Sequence, residues 1–531
     1  MKPGRFLLPL LIAASVAAQG LDPAKLLQPA ADTWPTFHGD YSGRRHSPLS
    51  QVNSANIGTL SLAWIFRANQ GAIKSTPLEV NGVLYFTVPD HVWAVDARTG
   101  RQLWHYVWKT SGGDHIGNRG VGIYENWLYF ETPDDYLVCL NLRDGTERWH
   151  KQIADVALEY FATMAPVVIG NHVLVGVSGD SMDVPGFLEA RDPETGDVQW
   201  RWYTTPRAGQ PGSETWPNPD SMAHGGGMTW MPGTYDPELK LLYWATGNPN
   251  PVMAGQGRQG NNLWTCSIVA LTIDTGKLVW HFQASPHDTH DWDAVQVPVL
   301  IDGEFNGRPR KLLAQASRNG YFFLLDRTNG QNLLSVPYVP INWSKGVNTH
   351  GSPVRDLKKD PSTSGTLVEP SAHGGTNWQT PGFDPASGLF FLHAERSYSV
   401  FFLTDTGSKP EGYGGRDDKI WAEEFIEAID YKTGKIRWRH DIGQGVTYMG
   451  ILTTDGRLLF SGDNSGNALA LDPLTGSTLW HVNLGGVMNN APITYELDGR
   501  QYLLFAAGDS LFGFTLPLKA CAANSSSDHN F

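Results

Sequence analysis

The chain has 531 residues, a formal net charge of −13 and 41% hydrophobic residues, with 20 Trp, 58 Gly and 34 Pro. This composition excludes a disordered polymer, and the lack of any Lys/Arg cluster excludes a nucleic-acid backbone as partner. Three distant cysteines, Cys139, Cys266 and Cys521, give no disulfide framework, and no CxxCH motif attaches a haem, so electrons from any redox chemistry must leave to another molecule.

The first element is MKPGRFLLPLLIAASVAAQG, with Lys2 and Arg5 ahead of an apolar run and small residues at Ala17 and Ala18. It predicts a signal peptide over 1–18 and hence a periplasmic or secreted protein. No later segment approaches the roughly 18 uninterrupted apolar residues of a membrane span.

From there the chain is all-β in pattern. One unit recurs: AVDARTGRQLW ends at Trp104, CLNLRDGTERW at Trp149, ARDPETGDVQW at Trp200, ALTIDTGKLVW at Trp280, AIDYKTGKIRW at Trp438 and ALDPLTGSTLW at Trp480, with LLDRTNGQNLL a degenerate copy near Leu334. Each is a strand, a turn that starts on Asp and ends on Gly, and a second strand closing in Trp, which reads as a β-hairpin. Another strand pair precedes most copies, so a unit holds about four strands in ~40–50 residues, the length of a propeller blade. With GTLSLAWIFR near the start and FDPASGLFFLH at 383–393, the pattern predicts a single β-propeller domain over 33–517, with eight blades and seven as the alternative. The repeated Trp offers a flat surface to the neighbouring blade, a structural role. Two excursions, 203–230 and 336–380, are rich in Pro, Gly, Ser and His; such insertions shape a pocket on one propeller face. The tail 518–531 reads as disordered.

One stretch does not fit the repeat. DTHDWDAVQ, residues 288–296, holds three carboxylates and an imidazole within six positions just after a strand that ends in aromatics. It is either a solvated loop or a metal and proton-transfer site. The two His, His287 and His290, sit too close together on a loop to give a zinc geometry, and no third ligand is evident.

GNRG (117–120), GGGMTW (225–230), ATGNPNP (245–251), DWDAVQ (291–296), SRNGYFFLLDRTNG (317–330) and GGTNWQ (374–379), in this order and with the Trp repeat, resemble the quinoprotein alcohol dehydrogenases, propeller enzymes that bind pyrroloquinoline quinone (PQQ). The resemblance runs from about 33 to 517. It implies an eight-bladed propeller with the quinone on its axis, a calcium or lanthanide ion, an alcohol substrate and an external acceptor such as a cytochrome c. It places the catalytic Asp at Asp291 and a cation beside the reactive carbonyls at Arg318. Asn248, Asp291 and Asp293 fall on metal-ligand positions, Asp293 on the extra carboxylate of lanthanide-using members. Trp230 matches the aromatic floor under the quinone, and Arg119, Thr163, Ser178, Gly179, Asn377 and Trp378 match quinone contacts. The residue types suit such a group: a flat anionic quinone takes an aromatic face and cations, and a carboxylate in reach of an alcohol acts as base.

The sequence also departs from the family. Ser181, preceded by Asp180, stands where the family has a metal-binding Glu; Gly113 and Asp114 replace an adjacent cysteine pair; Lys74 replaces a cofactor-contacting Glu. A hydroxyl does not replace a bidentate carboxylate on a hard cation. Two readings follow, an exported PQQ dehydrogenase with an altered metal shell and a cofactor-free propeller acting as a binding module.

Overall fold

Each sequence repeat becomes the outer half of one antiparallel sheet. The computed structural model describes residues 20–28, 31–179, 183–443 and 448–517. The expected signal peptide, the tail at 518–531 and the pair Asp180 and Ser181 lie outside the described residues. Among the described residues there are eight sheets of four or five strands and one two-stranded hairpin. The sheet formed by Leu78–Val80, Val83–Val88, His91–Asp96 and Gln102–Val107 shows the plan, each strand pairing with the next in sequence.

The repeat turn is held by its Asp. Asp96 Oδ1 accepts from the amides of Arg98 and Thr99, and Gly100 N–H closes the turn on the Asp96 carbonyl. The same side-chain bonds recur at Asp192, Asp430 and Asp472. The inner strands are apolar on both faces because sheets stack on both sides of them: Leu137, Val138, Cys139 and Leu140 are all fully buried. The outermost strands alternate, and their Trp is the residue turned inward.

Each such Trp lies opposite a small residue of its own sheet: Trp104 pairs with Ala94, Trp149 with Cys139, Trp200 with Ala190, Trp280 with Ala270 and Trp438 with Ala428. Its indole then reaches into the next sheet. Trp104 donates to the Leu142 carbonyl at 3.1 Å, Trp200 to Ile273 at 2.8 Å and Trp280 to Arg327 at 3.1 Å. The ring lies on the turn glycine of that next sheet, so a Cβ on Gly145 would sit 2.7 Å from Trp104. The degenerate copy repacks the joint: Leu334 pairs with Leu324, and Leu334 with Val336 covers Gly434. Indole–carbonyl docking recurs at these joints, while Leu334 is an aliphatic substitute and Trp480 packs on Phe505 and Phe514.

The ends of the chain are tied together. Ser61–Arg67 completes the sheet of Ile493–Leu497, Arg500–Ala507 and Ser510–Thr515, and Trp64 of that strand donates to the Ala97 carbonyl. His46–Ser47 pairs in parallel with Leu452–Thr454. Of the two excursions, 203–230 carries the short helix Pro219–Ala223, and 336–380 carries the hairpin Ser344–Val347 and Pro353–Arg355 plus Thr366–Val368, which joins a sheet extended by the long strands Leu389–Leu403 and Gly415–Asp430. No helix among the described residues is long and apolar enough to cross a membrane.

Candidate active site

The charge-dense loop folds around Asp288. Its Oδ2 accepts from the amides of His290 and Trp292, a local turn that reverses the chain, while burial raises its pKa. His290 stacks on Trp292 with centroids 4.3 Å apart and bonds the Lys359 carbonyl; His287 bonds the Gly260 carbonyl. Burial lowers the pKa of His290 to about 4 and of His287 to about 3, so both imidazoles are neutral struts. Among the described residues no group of three His, Cys, Asp or Glu is arranged to hold a metal by itself.

Between these struts the loop presents Asp291, held at φ +65°, a left-handed conformation that costs a non-glycine residue ~1–3 kcal/mol. Arg318 Nη2 lies 2.9 Å from Asp291 Oδ2 and Nη1 lies 3.6 Å from Asp293 Oδ2. The guanidinium is fixed in turn by Nε–H donating to the Ala372 carbonyl, and its amide donates to Gln296 Oε1. Asp293 joins two further residues: Oδ1 accepts from the Asn248 amide at 2.6 Å and Oδ2 from the Trp230 indole at 2.9 Å.

Trp230 connects this acidic half to a basic, aromatic half. Arg119 lies over the Trp230 ring at 4.6 Å and over Trp378 at 5.3 Å, the range of cation–π attraction. Arg119 Nη1 donates to Thr163 Oγ1, which contacts Ser178 Oγ at 3.2 Å. Burial lowers the Arg119 pKa to about 9, with the Glu131 carboxylate opposing that shift. Gly179 follows Ser178 at φ +124°, and Asn377 Nδ2 donates to the His373 carbonyl beside Trp378.

The structure therefore brings together Arg119, Thr163, Ser178, Trp230 and Trp378 on one side and Asn248, Asp291, Asp293 and Arg318 on the other. Sequence reasoning missed Tyr448, which stacks on Trp378 with centroids 5.0 Å apart, and Gln296, which positions Arg318. Neither belongs to a repeat or a charged motif, so no local signal marks them. It also missed the cluster in which Glu395 binds Lys419 at 3.0 Å and faces His373 Nδ1 at 3.2 Å; these charges hold the Glu395 pKa at about 2.

The departures have structural correlates. At Gly113, φ is +78° and a Cβ would strike the Pro133 carbonyl, so this backbone path admits no side chain there. Lys74 donates to the Ile116 carbonyl, and burial and Arg119 lower its pKa.

Among the residues of this site, Arg119 Nε, Asn248 Oδ1 and Gln296 Nε2 are buried with no hydrogen-bond partner. Buried polar groups are normally satisfied, and these orphans beside the aromatic faces of Trp230 and Trp378 fit a flat, polar group. The two aspartates and the Asn248 amide oxygen are a hard-oxygen donor set of the kind a calcium or lanthanide ion takes. Fold and site together define an all-β protein with an arginine-covered aromatic floor beside a carboxylate pair.

The comparisons name the class. The sequence pattern of the family described as "Glucose/ethanol/alcohol dehydrogenase, beta-propeller domain" matches residues 34–355 and 418–503, leaving out the segment that carries Asn377 and Trp378. The chain is 32% identical to the quinohemoprotein alcohol dehydrogenase of Comamonas testosteroni over 93% of this chain and 75% of that one. It is 33% identical to quinoprotein alcohol dehydrogenase PedH of Pseudomonas putida, covering 90% of this chain and 85% of that one, and 31% identical to the lanthanide-dependent methanol dehydrogenase of Methylacidiphilum fumariolicum, covering 94% and 88%. The crystal structure of the Comamonas enzyme superposes with a TM-score of 0.87 at 30% identity over 94% of this chain and 83% of that one. The europium-containing methanol dehydrogenase gives 0.84 at 27% identity over 93% and 99%. The chain belongs to the family of PQQ-dependent alcohol dehydrogenases, and its fold is the all-β propeller of that family.

Proposed function

We propose that the chain is an exported PQQ-dependent alcohol dehydrogenase that uses a calcium or lanthanide ion and passes electrons to a separate acceptor such as a cytochrome c. On this reading the eight larger sheets are eight blades of one domain over 33–517. The single observation that carries it is the Asp291–Arg318 pair, set on a strained residue and linked through Asp293 to the Trp230 floor.

Trp230, Trp378 and Arg119 would hold the quinone, with Thr163 and Ser178 fixing the Arg119 fork. Asn248, Asp291 and Asp293 would hold the metal. When bound, PQQ supplies the two-electron acceptor for the alcohol carbon. Asp291 would accept the hydroxyl proton, and Arg318, 2.9 Å from its Oδ2, aims the carboxylate. Some relatives are named as quinohemoproteins and one as 1-butanol dehydrogenase (cytochrome c), which supports a haem acceptor; this chain has no CxxCH of its own.

The test is titration of the purified chain with PQQ, with calcium or lanthanum present, followed by tryptophan quenching and quinone absorbance. Saturable, metal-dependent binding that is lost in Asp291→Ala and Trp230→Ala is expected. No binding with either metal would turn the reading to a cofactor-free binding module.

A further inference from the structure

The Arg318 guanidinium is aimed at Asp291 by a main-chain atom, since its Nε–H donates to the Ala372 carbonyl at 2.9 Å. The same segment grips the acidic loop: the Ser371 carbonyl accepts from the indole of Trp292, the residue between Asp291 and Asp293, at 2.8 Å. Gly375 ties the segment to Arg318 a second time, its N–H donating to the Arg318 carbonyl at 2.8 Å. The geometry of the carboxylate pair therefore depends on where residues 371–375 sit.

That position is set by Glu395, in the strand Leu389–Leu403. Its carboxylate brackets Ala372: Ser371 Oγ donates to Oε1 at 3.1 Å, and His373 Nδ1 stands 3.2 Å from Oε2. Its backbone N–H donates to the Gly375 carbonyl at 2.7 Å. Glu395 thus holds the residues on both sides of the carbonyl that aims Arg318.

The grip is itself supported. Glu395 is 2% exposed, and a carboxylate this buried is kept ionised only by partners. Lys419 Nζ, on the adjacent strand Gly415–Asp430, meets its two oxygens at 3.1 and 3.0 Å. Ser397 Oγ donates to Ser371 Oγ at 2.9 Å, which leaves the Ser371 proton for Glu395. The His373 ring meets Tyr448 edge-on with centroids 5.8 Å apart, and Tyr448 stacks on Trp378, so the grip extends to the aromatic side of the site.

We infer that Glu395, with Lys419 as its counter-ion, is a positioning residue for the Asp291–Arg318 pair: it holds the Ser371–His373 segment so that the Ala372 carbonyl keeps the Arg318 fork on Asp291. It acts through Arg318 and not on the substrate. Its effect on turnover rests on the dehydrogenase reading; its effect on the segment does not.

The test is Glu395→Gln, which keeps the shape of the side chain and removes its charge. In the PQQ- and metal-loaded chain it should lower kcat on ethanol by roughly tenfold, while KM and the PQQ dissociation constant from tryptophan quenching move by less than about threefold. A residue that only stabilises the fold would give a loss that multiplies with any other. Positioning through Arg318 requires instead that Glu395→Gln cost little more in an Arg318→Lys background. Lys419→Met should share the loss and Lys419→Arg should escape most of it, and this pair carries the test if Glu395→Gln does not fold. An unchanged kcat, or losses that multiply in the double variant, would overturn the inference and leave the dehydrogenase standing. If the wild-type chain oxidises no alcohol, that reading falls alone and hydrogen exchange decides. The Gly375 amide, bonded to the Arg318 carbonyl, should then exchange at least about tenfold faster in Glu395→Gln, and equal exchange overturns the inference.

Discussion

Arg318 Nη2 stands 2.9 Å from Asp291 Oδ2 while its Nη1 stands 3.6 Å from Asp293 Oδ2, so one guanidinium spans both carboxylates of the DWD motif. With Nε also committed to the Ala372 carbonyl, the three nitrogens meet three different acceptors. A lysine carries the charge but has no planar fork to reach all three. Arg318→Lys should therefore retain PQQ binding within a few-fold and lower kcat on a neutral alcohol by roughly 10²-fold, the scale of losing one preorganised electrostatic contact. Steady-state turnover with an artificial electron acceptor, beside the fluorescence titration, separates the two effects.

Asp293 satisfies two buried donors, the Asn248 amide and the Trp230 indole. Asp293→Ala leaves both without that acceptor, at about 1–3 kcal/mol each. Asp293→Asn keeps one acceptor oxygen and should lose less stability. Urea denaturation of the two variants should rank them in that order, and both should weaken lanthanum binding by removing a carboxylate.

The propeller was legible because its joints are written in the sequence. Asp sets the turn, Gly gives the Trp room, and both recur at constant spacing, so one solved hairpin explains the rest. One exception is legible only afterwards: Leu334 faces Leu324 where Trp104, Trp149, Trp200, Trp280 and Trp438 face Ala or Cys, a two-sided change that the Trp spacing passes over. Within the site, the 288–293 stretch stood out through charge density and Asp291 through the family resemblance; what distinguishes Asp291 from Asp288 and His290 is its backbone at φ +65°, which spacing does not encode. Tyr448 and Gln296 act through contacts across the fold. Gly113 was legible as a departure from an adjacent cysteine pair; the structure adds that it lies against the Pro133 carbonyl, so that no side chain fits on this path.

The joint also predicts a specific lesion. Gly145 has φ +73°, and a Cβ there would lie 2.7 Å from Cε3 of Trp104, whose indole is anchored to the Leu142 carbonyl. Gly145→Ala imposes left-handed strain and displaces that ring, and should cost more than 1 kcal/mol. Gly170, also at positive φ but with nothing within 4 Å of a Cβ, is the control: Gly170→Ala carries the backbone strain without the clash. Thermal melts should place Gly145→Ala below Gly170→Ala.

Glu131 and Asp135 are buried carboxylates, each crowded by another acid. Burial pushes the pKa of each well above its ordinary value; Asp135 adds to the rise at Glu131, and Glu189 adds to it at Asp135, while Arg191 opposes both. Glu131 Oε2 and both Asp135 oxygens have no hydrogen-bond partner. An acid with a raised folded pKa keeps a proton that the unfolded chain releases. Its contribution is thus most favourable below the unfolded pKa, 4.5 for Glu131, and is lost as pH climbs from there toward the folded value. The buried histidines His38, His287, His290 and His393 run the other way, since their lowered pKa values make folding more favourable as pH rises through 6.5. The wild-type profile mixes both slopes, so the difference between proteins is the measurement that isolates the pair. Glu131→Gln keeps the shape and removes the titration; its stability relative to wild type should increase steadily between pH 5 and pH 8 in urea denaturation, and a difference that stays flat or falls would show that Glu131 is ionised in the folded chain.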